Sequence, residues 1–179
     1  MMITFNELVT RRQSVRKYKS EAVPQEAIAS CLEAARLAPS ACNAQPWKFI
    51  VVEDEKLKRQ VGQAAASMGM NGFCPDAPCI VAVVLEKPNI VSAIGSVLKN
   101  KEYALIDIGI AAEHFCLQAA ELGLGTCMIG WFDEKKAKSL LGIPSSKRLS
   151  LLITVGYGGD TPRAKTRKTT AEMSGRNHY

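Results

Sequence analysis

Histidine is almost absent from this chain: only His114 and His178 occur, and none of the six cysteines forms a CxxC pair. Without clustered nitrogen and sulfur ligands a zinc site is not expected, and the metal expectation is none. No strand-like run is followed by GxGxxG. Gly123-Leu124-Gly125 comes after a helical stretch, so the dinucleotide fingerprint fails on context and on spacing. A P-loop is missing, and so is a Ser-His-Asp or Cys-His constellation. The longest unbroken apolar run, Cys79 to Leu85, is far too short to span a bilayer, and Met-Met-Ile-Thr-Phe-Asn-Glu-Leu at the N-terminus is no secretory signal. Aromatics make up only 6% of the chain. Tyr18 alone accompanies the N-terminal basic groups and none accompanies the C-terminal ones, whereas a nucleic-acid-binding module interleaves the two. The expectation is a cytoplasmic protein with reduced thiols and neither membrane nor nucleic-acid partners.

What is present describes one globular domain. A chain of 179 residues, 47% hydrophobic and 22% charged, can bury a real core. The net charge is +6, with basic residues gathered at Arg11 to Lys19 and Arg163 to Lys168. Such clustering fits a local phosphate site better than a broad polyanion footprint. Thr4-Phe5-Asn6-Glu7 is a capping-box pattern that predicts a helix to about Arg12, followed by a polar loop to Val23. Apolar spacing predicts helices over 24–38, 54–68 and 102–122, the last nearly apolar all round and closed by Gly123. Asp133 caps a small helix that ends at Gly142. Strands are expected over 48–53, 79–86, 126–130 and 148–155. Residues 88–100, from Pro88 to Asn100, read as a lid, with Phe73 another candidate pocket residue. The polar tail from Asp160 has no apolar periodicity and cannot build a core. Strands separated by unequal helices suit an α+β domain, a mixed or antiparallel central sheet flanked by helices.

Three segments could carry chemistry. Ala38-Pro39-Ser40-Ala41-Cys42-Asn43-Ala44-Gln45-Pro46-Trp47 is a loop of small residues, two prolines and two amides. Asn43 and Gln45 each carry a donor and an acceptor, which suits the edge of a flat heterocycle, but a Pro-punctuated turn anchored by Trp47 is equally consistent. Arg11-Arg12-Gln13-Ser14-Val15-Arg16 places three guanidiniums and a hydroxyl within six residues, either a phosphate cradle or a solvated basic turn. Gly123-Leu124-Gly125-Thr126-Cys127-Met128-Ile129-Gly130 reads as close-approaching backbone or as a helix cap leading into a core strand.

In this order these segments resemble the nitroreductase family of FMN enzymes. The first is similar to its P-S-x-x-N-x-Q-P-W signature, the second to R-[RH]-S-x-[RK], with Gln13 where arginine or histidine is frequent. The third is similar to its G-x-G-T…G approach, and Pro162-Arg163-Ala164-Lys165-Thr166-Arg167 to its terminal P-R-x-K-x-R. The resemblance implies bound FMN, with NAD(P)H as co-substrate and ping-pong hydride transfer to a nitroaromatic, quinone or enone acceptor. It implies cofactor contacts from Arg11, Arg12, Gln13, Ser14, Arg16, Pro39, Ser40, Ala41, Asn43, Gln45, Met128, Ile129, Gly130, Lys165 and Arg167. Within that set Arg16 tunes the flavin, the Gly130 backbone lies near N5, and no protein side chain is a certain catalyst. It also implies an intertwined homodimer. One subunit supplies Arg12 and Lys165, the other the Pro39 to Asn43 loop; residues 1–160 form the FMN-binding domain and 161–179 a basic extension that wraps the partner. A flavin-binding protein without turnover and a basic nucleic-acid module remain the competing readings. Whether Cys42 is reactive stays open.

Overall fold

The computed structural model describes residues 3–66, 69–87 and 101–179, so the predicted lid at 88–100 and the end of the helix predicted over 54–68 lie outside the described residues. Six helices are described: α1 (Phe5–Arg11), α2 (Gln25–Arg36), α3 (Glu55–Ala65), α4 (Tyr103–Glu121), α5 (Glu134–Leu140) and α6 (Thr170–Met173). Four strands, β1 (Trp47–Val52), β2 (Cys79–Leu85), β3 (Gly125–Ile129) and β4 (Arg148–Gly156), form a sheet in the order β1-β2-β4-β3. Each pairing within it is antiparallel.

Alternation along β2 explains the layering. Ile80, Ala82 and Val84 enter one core cluster, while Cys79, Val81 and Val83 enter the other. Successive strand residues point to opposite faces, so a strand covered on both sides reads as a continuous apolar run. One face packs on α3 residues Val61, Ala64 and Ala65 and on Ala137 of α5. The opposite face packs on Ile28, Cys31 and Ala35 of α2 and on Ile108, Ala112 and Phe115 of α4. The result is helices, sheet, helices, with α4 buried along Ile108, Ala111, Ala112, Phe115, Cys116, Ala119 and Ala120 but exposing Ile106.

Local chemistry sets the helix ends. Glu7 N donates to Thr4 Oγ1 (3.3 Å) while Thr4 N donates to Glu7 Oε2 (2.7 Å), the reciprocal cap that the sequence predicts. Asp54 caps α3 through Leu57 N (2.8 Å), and Gly123 and Gly142 take the left-handed conformation that closes α4 and α5. One expectation needs correction. The segment predicted as a loop from Gln13 to Val23 is partly tied into the sheet, through bridges of Ser14 with Thr126 and Tyr18 with Gly158. In the tail a second capping box, Thr169 with Glu172, starts α6.

Candidate functional site

Arg12 closes α1, donating its N–H to Leu8 O (2.9 Å). Beyond it the chain runs beside β3, where Val15 N donates to Thr126 O (2.9 Å). Val15 is buried and fills the space over Gly125; a Cβ there would lie 2.5 Å from Val15 Cγ2. The glycine serves the approach of Val15, a different reason from the backbone approach to a ligand that the sequence suggests. Its neighbours Ser14 and Arg16 instead line the cleft described next, which Val15 does not reach. Lys19 N to Tyr157 O (2.9 Å) and Gly159 N to Lys17 O (2.8 Å) hold the rest of the arm against the end of β4.

The chain returns to this arm after β4. Arg163 N donates to Gln13 Oε1 (3.1 Å), and the Arg163 guanidinium donates to Ser14 O. Lys165 Nζ donates to Val9 O (2.5 Å) and to Arg12 O. Between arm and tail lies a cleft of about 310 Å³. Arg12, Arg16, Arg163, Lys165 and Arg167 line it with Ser14 and Gln13, and among the described residues no carboxylate does. The nearest compensation is Glu113 of α4, 3.3 Å from Arg12 Nε. Desolvation, and then the charges of Arg12 and Arg167, hold the Lys165 pKa below its ordinary value. Five cations kept together against their repulsion form a site for an anion. Arg11 lines an adjoining cavity of about 250 Å³ next to Gly123, which also shares Arg12 and Gln13.

The Pro39–Gln45 loop is built differently. Ala41–Asn43 forms a 3₁₀ turn in which Cys42 (φ 51°) and Asn43 (φ 52°) are left-handed, as is Gln45 (φ 46°). Gln45 N donates to Ser40 Oγ (3.0 Å), and the Gln45 side-chain amide donates to Asn43 Oδ1 (3.0 Å). Ala41 N donates to Asp107 Oδ1 (3.1 Å) on α4. Three left-handed residues without glycine within four positions mark a loop held in an uncommon shape. Asn43 and Gln45 are exposed. Asp107 meets this loop and Glu113 meets the cleft. Six residues along a helix is about 9 Å and about 120° around its axis, so the two parts engage different faces of α4.

At the end of β3 the side chains are spent on the core: Ile129 is 3% exposed in one cluster, and Met128 packs on the other. Gly130 follows, and a Cβ built on it meets no atom within 4 Å, so open space lies over the main chain. Asn71 Nδ2 donates to Trp131 O (2.9 Å), and Asp133 N donates to Ala64 O (3.0 Å), fixing this turn to the end of α3. Phe73 packs against the core beside Tyr18, ring centroids 6.5 Å apart. Sequence reasoning missed Asp107, Glu113, Asn71 and the Arg163 contacts. The one legible trace was an acid, Asp107, set in an otherwise apolar stretch of α4.

The cleft and the loop fit a phosphorylated planar ligand: guanidiniums and an ammonium for the phosphate, uncovered main chain and amides for a ring. Among the described residues no group of three or more His, Cys, Asp or Glu side chains could hold a metal ion, and no helix is long and apolar enough to cross a membrane. The model of the nitroreductase family matches residues 9–157. An iodotyrosine deiodinase of Thermotoga neapolitana is 31% identical over 89% of this chain and 90% of its own. A putative NAD(P)H nitroreductase of Streptococcus pyogenes is 28% identical over 94% and 97%. Among solved structures, an FMN-dependent nitroreductase from Clostridium difficile superposes with a TM-score of 0.81 at 27% identity, covering 96% of this chain and 98% of that one.

Proposed function

We infer, because this chain belongs to the nitroreductase family, that it is an FMN-dependent oxidoreductase passing electrons from NAD(P)H to an electron-poor organic acceptor of the nitroaromatic, quinone or enone type. The observation that carries this reading is the cleft where five cations from the two ends of the chain surround Ser14 without a carboxylate. Arg12 and Arg167 offer planar forks to a phosphate. Lys165 spends two N–H donors on Val9 O and Arg12 O and keeps its third for the ligand. Arg16 adds permanent charge beside Ser14, in position to favour an electron-rich ring. The open main chain at Gly130 leaves room for a ring edge to approach. FMN, when bound, supplies the two-electron chemistry, accepting hydride from NAD(P)H and passing the electrons on.

The Pro39–Gln45 loop of a second copy completes the site in this reading. Its support is the separation of loop and cleft around α4, together with the exposed apolar side chains Leu37 and Ile106 near the loop. Residues 161–179 then form an extension that reaches the partner. The deiodinase similarity favours a second acceptor class at the same site, halogenated phenols, where two electrons and a proton replace carbon–halogen by carbon–hydrogen and release halide.

The test is the visible spectrum of the purified protein supplied with FMN and followed anaerobically as NADPH and then NADH are added. Bound flavin that bleaches supports the reading, and an acceptor screen with halide detection then separates the two acceptor classes. Flavin that stays oxidised overturns the NAD(P)H assignment in favour of binding without turnover. A protein that takes up no FMN overturns the whole proposal.

A further inference from the structure

We propose that Asp107 is the positioning residue that holds the Pro39–Gln45 loop in its ligand-binding shape. The inference rests on the assignment of that loop to the flavin site made above.

Asp107 is 4% exposed, on a helix whose other buried residues are apolar. Burying a carboxylate is costly unless it is paired and hydrogen-bonded. This one has no ion pair among the described residues. Its Oδ1 accepts from Ala41 N (3.1 Å), and its Oδ2 receives no donor from the described residues. An acid kept in an apolar helix for a single main-chain amide points to what that amide does. It opens the turn containing left-handed Cys42 and Asn43, with left-handed Gln45 two positions on. Bonds inside the loop, Gln45 N to Ser40 Oγ and the Gln45 amide to Asn43 Oδ1, shape the turn without attaching it to anything. Asp107 attaches it to α4. A loop that costs energy to hold in shape relaxes when its anchor goes, and the apparent affinity falls with the fraction that remains competent.

The experiment is FMN titration of the full chain, followed by flavin fluorescence, with Asp107→Leu, Asp107→Asn, Ala41→Pro and Arg12→Ala, each well below its own melting temperature. Asp107→Leu removes the acceptor, leaves the Ala41 N–H unpaired and raises the FMN Kd about ten- to a hundredfold. Asp107→Asn keeps an oxygen for Ala41 N and stays within about threefold of the parent. Ala41→Pro removes the donor while leaving Asp107 intact. Ser40 is already extended (φ −146°, ψ 155°), as a residue before proline requires. It weakens FMN as much as Asp107→Leu, and it keeps the inference testable if the leucine variant does not fold. An unchanged Kd in Asp107→Leu or Ala41→Pro overturns the proposal, as does an asparagine variant as weak as the leucine one, because a merely structural role lowers the melting temperature without this ordering. Arg12→Ala separates the two levels of inference. If it too binds FMN like the parent, the placement of FMN in this cleft fails; if it weakens FMN while Asp107→Leu does not, only the Asp107 assignment falls.

Discussion

Replacing Gly125 by alanine tests the seam between the N-terminal arm and the sheet. The added Cβ would stand 2.5 Å from Val15 Cγ2 and 2.8 Å from Val15 Cβ, and Val15 is held there by its own N–H on Thr126 O. The Val15 backbone is fixed by that bond, so either the side chain turns towards the adjoining cavity of about 250 Å³, which it lines, or the arm shifts off β3. Overpacking of this kind costs about 1–3 kcal/mol. For a domain of this size that is a fall in Tm of about 2–12 °C. Ser14 and Arg16 flank Val15, so FMN affinity falls with stability. The decisive measurement is a double-mutant cycle by chemical denaturation with Val15→Ala, which removes the nearest clashing atom, Cγ2. The double variant should be more stable than the sum of the single effects by about 0.5 kcal/mol or more. A parent-like melting temperature for Gly125→Ala, or strict additivity in the cycle, refutes the close-approach account. The glycine would then have to be explained by a ligand instead.

Three further outcomes follow from the geometry. Arg12→Ala should weaken FMN by about tenfold or more, the range for hydrogen bonds to charged groups, while leaving the affinity for riboflavin unchanged, since riboflavin lacks the phosphate; equal losses for both ligands would remove Arg12 from the phosphate site. Burial pushes the thiols of Cys31, Cys74, Cys79 and Cys116 up to about 12 from an ordinary 9.0. The unfolded chain ionises them first, so folding stability, complete below pH 9, should be lost progressively as pH rises towards 12, and a flat denaturation profile across that window would contradict their burial. Cys42 is the one exposed cysteine, so a thiol-exchange reagent should titrate a single thiol per native chain and six after unfolding; fast labelling of two or more would show that the core opens.

Much of the architecture was legible because it depends on neighbours in sequence. The Thr4–Glu7 cap, the Asp54 cap, the left-handed Gly123 and Gly142 and the continuous apolar run of β2 each follow from a few adjacent residues, and each is found. The second capping box, Thr169 to Glu172, was equally readable, but the basic composition around it masked it. Contacts across the fold were not readable. No local pattern says that Asp107 bonds Ala41, 66 positions away, or that Val15 occupies the space over Gly125. The arm 13–19 reads as a polar loop because single bridges, unlike full strands, impose no alternating pattern that could be recognised. In the candidate site, the motifs pointed to Arg12, Arg16, Lys165 and Arg167 of the cleft, but also to Arg11, which lines the adjoining cavity, and not to Arg163, whose place there and whose hydrogen bonds required the fold.

The anion cleft joins residues from opposite ends of the chain, and this sets when it can form. Gln13 and Arg163 are 150 positions apart, and β4 ends at Gly156, only a few residues before the tail begins to contribute. The cations gathered there repel one another, so the cleft works against charge as it closes. All four strands end before the tail residues that line the cleft, so removing the residues beyond Gly159 takes away Arg163, Lys165 and Arg167 without removing a strand. A phosphate group bound there would act as a clasp between residues 12–16 and 163–167, stabilising the molecules in which these two segments are docked on each other.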